Sequence, residues 1–342
     1  MVFMRLKPVF LILLVSLNAS AFRYITPLEN SAWETNASPY ACTLKHTIEG
    51  YGSGVFFHEA GEKRVFRLQG NGFGFANKPI QMISDPPNWL PNKDQSLLSV
   101  LGLKQDRVEV TGELITRMMA ELVGGMLVSF NGILADSVDQ DFNIVLSSAG
   151  FHQAYETYLM CEQQLLPVNF SQIERTRIQY RSAEVGIPVS GQKLLDKIAI
   201  YLMTDKSIKS IYVDGHTDDA GLQRDNVMVS KHRAELVTEY LLEAGVSKDM
   251  IVTRYHGEAY PVVKNTSTRN RAKNRRTTVR LSREAPVVVM KEIEEMPARG
   301  GAMDADNKEM MEPVSKYNMG EVIDAEQLVQ DQQEMANAGR AN

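Results

Sequence analysis

Residues 213–221 (VDGHTDDAG), 226–246 (NVMVSKHRAELVTEYLLEAGV), 251–265 (IVTRYHGEAYPVVKN) and 270–281 (NRAKNRRTTVRL) decide how the second half of this chain folds. The apolar run 208–213 reads as a strand. It leads into a polar turn, 217–221, where Asp218 can accept backbone N–H groups and Gly221 can take the left-handed conformation. Ala234, Val237, Leu241 and Ala244 then recur at three- and four-residue steps, the period of a helix with one buried face, and Gly245 ends it. Ser230 reads as the N-cap. That cap sets Arg233 in the first turn, near the Asp218 turn, where free N–H groups and the helix dipole also favour an anion.

Strand signals return at 250–256 and 277–281, with Arg275 just before the last. Upstream, 173–181 alternates as a strand, and Ser190 can cap a helix with apolar residues Leu194, Leu195, Ile198 and Leu202. The order β-α-β-α-β, a short turn of helix, then β predicts a small mixed sheet with helices on one face. Asp218 offers an acceptor for an ammonium and Arg233 a planar fork for a carboxylate, so a small zwitterion carrying both groups on one carbon suits the pair. Each residue taken singly has a blander reading: Asp218 as a turn cap, Arg233 as a solvated helix arginine, Arg275 as a surface partner of Glu258. His216 and Asp219 flank Asp218, but they form no ligand set and the chain has no C-x-x-C, so no metal and no cofactor is expected.

Working toward the amino terminus, short apolar-alternating runs such as 55–57, 64–68 and 81–83 are separated by Gly, Pro and Asn, the pattern of an antiparallel β domain. The passages GNGFGFANKP and DPPNWLP read as connections; the first lacks the lysine and helix of a phosphate loop. Two helices are expected, 113–126, stopped by Gly124-Gly125, and 152–165, with Tyr155, Leu159 and Glu162 at helical steps.

The chain has 342 residues, enough for two cores at 44% apolar content. Arg5 and Lys7, an apolar run at 9–17 and Ala19-Ser20-Ala21 read as a cleaved signal peptide, 1–21, because roughly nine apolar residues fall short of the ~20 that span a bilayer. A retained anchor is the competing reading. Export leaves Cys42 and Cys161 to form one disulfide, or else to remain as two buried thiols. The net charge of −5 hides a split between a basic stretch, 269–283, and an acidic tail, 284–342, expected to stay mostly disordered. No aromatic residues interleave with the basic run, and an exported chain meets little nucleic acid, so a nucleic-acid partner is not expected.

Several of these residues form a recognisable set: GHTDDAG, Asn226, S-x-x-R-A at 230–234, Gly257-Glu258-x-x-Pro261, Asn265 and Asn274-Arg275-Arg276. Together they resemble the OmpA-like peptidoglycan-binding domain across about 173–281, with Val229 where that family usually has leucine. The resemblance implies that Asp218 and Arg233 hold the diaminopimelate end of a peptidoglycan stem peptide, that Thr217 and Asn226 shape the loop, and that Arg275 supports the pocket. The front half, through Arg23-Tyr24, PLENSAWE, Cys42 in CTLKHTIEGYGSGVF, DPPNWLP and a second cysteine in a helix, resembles the MotY family of periplasmic components of sodium-driven polar flagellar motors.

The expected architecture is therefore α+β: a β domain with one or two helices at 22–168, an OmpA-like mixed-sheet domain at 169–283, and the tail. The resemblance further implies a non-catalytic anchor that forms a ring around the basal body with a MotX-like partner and holds the stator to the cell wall. It places the chain in the periplasm, against the wall and the outer membrane. The competing function is general OmpA-type wall anchoring unrelated to motility. A front-half membrane barrel would need eight regular strands of about ten residues, which the short runs do not supply. A wall hydrolase would need a second catalytic group beside Glu258 and His256.

Overall fold

The computed structural model describes residues 22–71, 75, 78–102, 108–133 and 141–286. Residues 1–21, read as a signal peptide, half of GNGFGFANKP and the tail beyond 286 lie outside the described residues. The chain divides into two compact units that meet between Leu166 and Pro167. Among the described residues no helix is long and apolar enough to cross a membrane.

The first unit holds β1 (Phe22–Tyr24), β2 (Trp33–Ala37), β3 (Ala41–Ile48), β4 (Gly52–Glu59), β5 (Val65–Gly70), β6 (Ile80–Asp85), β7 (Ser96–Leu101), β8 (Glu109–Thr111), α1 (Glu113–Val123), β9 (Leu127–Ile133), β10 (Asp141–Leu146) and α2 (Phe151–Gln163). They form two five-stranded sheets, ordered β1-β10-β9-β6-β7 and β2-β3-β4-β5-β8. Every pairing is antiparallel except β1 with β10. Alternation dictates this: β3 buries Cys42, Leu44, His46 and Ile48 and turns the residues between them outward. The inward aromatics of the two sheets meet, with Phe66 of β5 stacked on Phe130 of β9 at 5.6 Å.

Gly124 ends α1, its N–H returning to the Ala120 carbonyl, and Gly125 follows at φ 83°. The stripe that α2 buries differs from the expected one. Phe151, Tyr158 and Cys161 face the core, whereas Leu159 and Glu162 lie at its margin. The helix begins one residue earlier, and Phe151 packs edge-on against Trp33 at 4.8 Å, which sets its rotation. Cys161 and Cys42 form a disulfide with Cα atoms 6.0 Å apart, joining α2 to β3. Glu162 adds a second tie, accepting from Arg64 of the loop before β5 at 2.9 Å and bonding His58 Nδ1 of β4 at 2.7 Å.

The second unit contains α3 (Phe170–Ile173), β11 (Arg175–Gln179), α4 (Val189–Thr204), β12 (Ser210–His216), α5 (Gln223–Glu243), β13 (Ile251–Tyr255), α6 (Thr268–Asn274) and β14 (Arg276–Ser282). Its sheet runs β11-β14-β12-β13, with the β12–β13 pair parallel and the others antiparallel. Helices α4 and α5 cover one face, packing Leu195, Ile198, Ala234 and Val237 over Ile178, Ile211, Val213 and Val279.

One strand start and two helix starts differ from expectation. Ile173 closes α3, capped by Asn169 in a capping box, so the strand starts only at Arg175. Ser190 lies inside α4, which starts after Pro188 without a side-chain cap. Ser230 lies in the middle of α5, which starts at Gln223. The exposed polar residues of 223–225 hid the first two turns, because amphipathic periodicity becomes visible only where the helix meets the sheet.

Candidate functional site: an arginine–aspartate pocket beside β12

The site forms where β12 ends, at the junction of the 217–221 turn, the middle of α5 and the start of β14. Gly215 permits the approach. A Cβ there would be driven into the carbonyl oxygen of Ser230, so only glycine lets α5 lie this close to β12. Ser230 itself is fully buried; its hydroxyl donates to the Val227 carbonyl at 2.8 Å and accepts the Gly257 N–H at 2.9 Å. Gly257 has φ 57° and its carbonyl receives the Thr217 N–H at 2.7 Å. Ser230 is thus a clamp linking α5 through Gly257 to the Asp218 turn, not a cap.

Asp218 is buried and pairs with Arg275 Nη1 at 2.6 Å, while its other oxygen accepts the Ala220 N–H at 3.3 Å. Arg275 is steadied by a bond from Nε to the Tyr180 carbonyl at 3.2 Å. The alternative surface pairing of Arg275 with Glu258 does not occur. Glu258 instead accepts from Asn226 Nδ2 at 2.8 Å, which ties the first turn of α5 to the loop after β13.

Among the described residues Arg233 is the largest fully buried side chain, 2% exposed. It stands ten residues into α5, not in the first turn, so helix-terminal N–H groups and the helix dipole do not act beside it. Its guanidinium lies 4.4 Å from the centre of the Tyr180 ring, donates through Nε to the Glu184 carbonyl at 3.0 Å, and through Nη1 to the His216 carbonyl at 3.4 Å. Nη2 also bonds Glu184 O. These contacts use three of its five N–H groups, and no carboxylate is paired with it among the described residues. Burial and the positive Arg275 pull its pKa down, against the pull of Tyr180 and Asp218 upward. Thr217 adds a second unmet group: its hydroxyl is buried and has no hydrogen-bond partner.

Behind the pocket, His216 stacks on His256 at 4.8 Å and bonds the Ala259 carbonyl through Nδ1 at 3.3 Å. Burial first, then Arg276 and His256, push its pKa down to about 3. Asp214 is held well below the usual carboxylate range: burial opposes this, but hydrogen bonds from His256 and Arg254 outweigh it. No group of three or more metal-ligating side chains occurs among the described residues.

Of the residues the sequence singles out, Asp218, Arg275 and Arg233 are brought together around Tyr180, Thr217 opens the Asp218 turn, and Asn226 bonds Glu258 of the loop after β13. Tyr180 and Ser230 are the members that spacing did not reveal. In the first unit, DPPNWLP is more than a connection. With Arg23, Leu28 and Asn143 it lines an open groove of about 920 Å³, into which Trp89 presents a half-exposed ring.

A disulfide-tied β unit followed by a mixed-sheet unit with this pocket defines the class as a two-domain protein whose second half is an OmpA-family domain; the family profile of that name matches residues 180–275. The profile of the MotY N-terminal domain matches residues 24–167, and the two matches together cover more than half of the chain. The chain thus joins a segment similar to the MotY N-terminal domain to an OmpA-family segment. It is 28% identical to the sodium-type flagellar protein MotY of Vibrio parahaemolyticus over 265 residues, 76% of this chain and 90% of that protein. The peptidoglycan-binding protein ArfA of Mycobacterium tuberculosis is 36% identical over 69 residues, 20% of this chain and 21% of that one. Among solved structures, the peptidoglycan-associated lipoprotein of Burkholderia pseudomallei matches with TM-score 0.30 and 24% identity, covering 31% of this chain and 89% of its own. The C-terminal domain of Helicobacter pylori MotB matches with TM-score 0.29 and 26% identity, covering 31% and 84%.

Proposed function

We infer that this protein is a periplasmic, non-catalytic component of the flagellar motor that anchors motor parts to peptidoglycan, and that its second unit grips the diaminopimelate end of a stem peptide. The observation that carries the ligand is the pairing of unmet groups around one turn. Arg233 is a buried cation with free N–H groups and no carboxylate partner, and the Thr217 hydroxyl beside it is unpartnered. A ligand carboxylate supplies what both lack, in a bidentate geometry that a guanidinium fork favours. Its ammonium then faces Asp218, whose orientation Arg275 fixes at 2.6 Å. Asn226 shapes the rim by holding Glu258.

The likeness to MotY supports the rest of the proposed role. The chain acts in a ring around the basal body with a MotX-like partner and the stator complex, close to the outer membrane, after its signal peptide is removed. Domain limits of 22–168 and 169–283 divide the work: the β unit meets motor parts, for which the Trp89 groove offers an open concavity of about 920 Å³, and the OmpA-like unit meets the wall. Sedimentation of residues 22–342 with purified peptidoglycan, beside Asp218→Asn and Arg233→Lys variants checked by circular dichroism, tests the pocket. We expect at least a tenfold loss for each folded variant; equal binding by all three refutes the assignment. Unchanged swimming after gene deletion refutes the motor role.

A further inference from the structure

The face of the second sheet turned away from α4 and α5 is a field of arginines. Residues 175 and 177 of β11, 276 and 280 of β14, and 254 of β13 all point to it, since the opposite set, Ile178, Val279, Ile211 and Val213, faces the helices. Arg175 and Arg280 are direct cross-strand neighbours, a like-charge pairing that costs stability unless an anion lies across it. Arg280 and Arg254 both lie against the Tyr212 ring, at 4.3 and 4.9 Å. Asp214 is the only acid in the four strands, and Arg254 and His256 already occupy it. Arg175 and Arg177 are exposed and have no ion pair among the described residues.

The positive field continues round the free edge of β11 into a groove of about 410 Å³ between β11 and α4, lined by Arg177, Lys193 and Lys197 with Ser190, Ile178 and Leu194 and by no acid. The field is felt inside the sheet: Arg276 has its pKa brought down to about 10 by burial and then by Arg177.

We propose that this arginine face and the β11–α4 groove are the docking site for the chain's own acidic tail, beginning with Glu292, Glu294 and Glu295. The tail leaves from β14, a strand of this same sheet, and residues 284–342 carry thirteen acidic against five basic side chains, whereas the rest of the chain is net positive. Glu292 lies ten residues beyond Ser282, a reach of about 33 Å when extended. The four-stranded sheet is only about 14 Å across. Between the acids, Val287–Val289 and Ile293 offer apolar side chains to the half-buried Leu194 of the groove. Tethering raises the local concentration of the tail to the millimolar range, so individually weak ion pairs suffice. This docking does not depend on the wall-binding pocket.

Carbodiimide coupling of residues 22–342, which joins a carboxylate to an amine without a spacer, tests the proposal by mass spectrometry of the monomer. At low salt (about 20 mM) the tail glutamates should couple to Lys193 and Lys197, and coupling should fall at least fivefold at about 0.5 M salt and in the Arg175→Glu/Arg177→Glu double variant. Both arginines are exposed, so that variant should fold. Coupling spread equally to Lys45 and Lys63 of the first unit overturns the proposal. So does coupling between isotopically heavy and light chains, which would make the occupant a second copy. A third refuting result is equal binding of anionic phospholipid vesicles by the full chain and a chain ending at Pro286, because an occupied face should bind them at least tenfold more weakly.

Discussion

His216 makes the second unit acid-sensitive in a defined window. In the unfolded chain its imidazole takes a proton near pH 6.5; in the folded unit burial, Arg276 and stacked His256 hold it neutral down to about pH 3, with Asp214 pulling the other way. The unfolded state therefore binds one more proton than the folded state throughout that interval, and acid favours unfolding. Stability attributable to this residue is complete above pH 6.5 and is lost as the pH falls toward 3. At about 1.4 kcal/mol per unit, the loss is roughly 2 kcal/mol at pH 5 and roughly 3 kcal/mol at pH 4.

Asp214 also loses stabilisation in acid, but only as its unfolded carboxyl begins to protonate near pH 4, so the interval from 6.5 to 4.5 isolates the imidazole. Both tryptophans, Trp33 and Trp89, lie in the first unit and are blind to this transition. The readout is therefore hydrogen exchange of the buried Ile211 and Val213 amides, converted to an opening free energy. A His216→Asn chain, which cannot titrate and can still donate to Ala259, supplies the reference. The native chain should lose roughly 2 kcal/mol more than the variant between pH 7 and pH 5, and the carbon resonances of its imidazole should stay at neutral values to pH 4. Equal losses in both chains, or an imidazole that titrates near 6, would refute the reasoning.

Other expectations follow from single contacts. Ser230→Ala should cost about 1–3 kcal/mol by orphaning the Gly257 N–H, read in the same exchange experiment, and Gly215→Ala should cost more because its Cβ meets backbone. Reducing the Cys42–Cys161 bond, whose partners are 119 residues apart, should lower the first unit's stability by about 4–5 kcal/mol in urea followed by tryptophan fluorescence, and leave the second unit's exchange unchanged. Thr217→Val deletes a buried hydroxyl that bonds nothing in the free protein, so the free protein should become more stable, by up to about 1–3 kcal/mol. Wall binding should still weaken about fivefold to tenfold, the worth of one hydrogen bond of about 1–1.4 kcal/mol; unchanged binding removes Thr217 from the site.

The legible parts of the sequence were those where burial imposes a period. Strand alternation in β5 and β6, the apolar stripe 234/237/241 of α5 and the Gly245 stop are direct consequences of one face meeting a core. The start of α5 was not legible, since residues 223–225 face solvent and carry no apolar mark, while Ser230 carries the residue type of a cap without its position. Its hydroxyl serves a contact with Gly257, twenty-seven residues away, which no local rule reports. Tyr180 was invisible for the same reason: only the β11–β14 pairing sets its ring against Arg233 and its carbonyl against Arg275.

The corrected start of α5 changes the physics of the pocket. With Arg233 in a first turn, the helix end would share the work of attracting an anion, and loss of the guanidinium would leave a weakened site in place. Ten residues into α5, the guanidinium stands alone. Backbone carbonyls and the Tyr180 ring offset part of its desolvation, but no paired carboxylate completes the balance. A buried cation in this state gains more from an arriving carboxylate than an exposed arginine would, because the desolvation of the cation has already been met in folding. The same arithmetic governs Asp218. Its ion pair with Arg275 keeps it ionised and aimed, yet two guanidiniums against one carboxylate leave the pocket net positive. A lone ammonium should therefore be rejected and a lone carboxylate accepted weakly. Only a ligand carrying both groups on one carbon engages Arg233 and Asp218 together, so glycine amide and acetate should compete for wall binding far less than free diaminopimelate does.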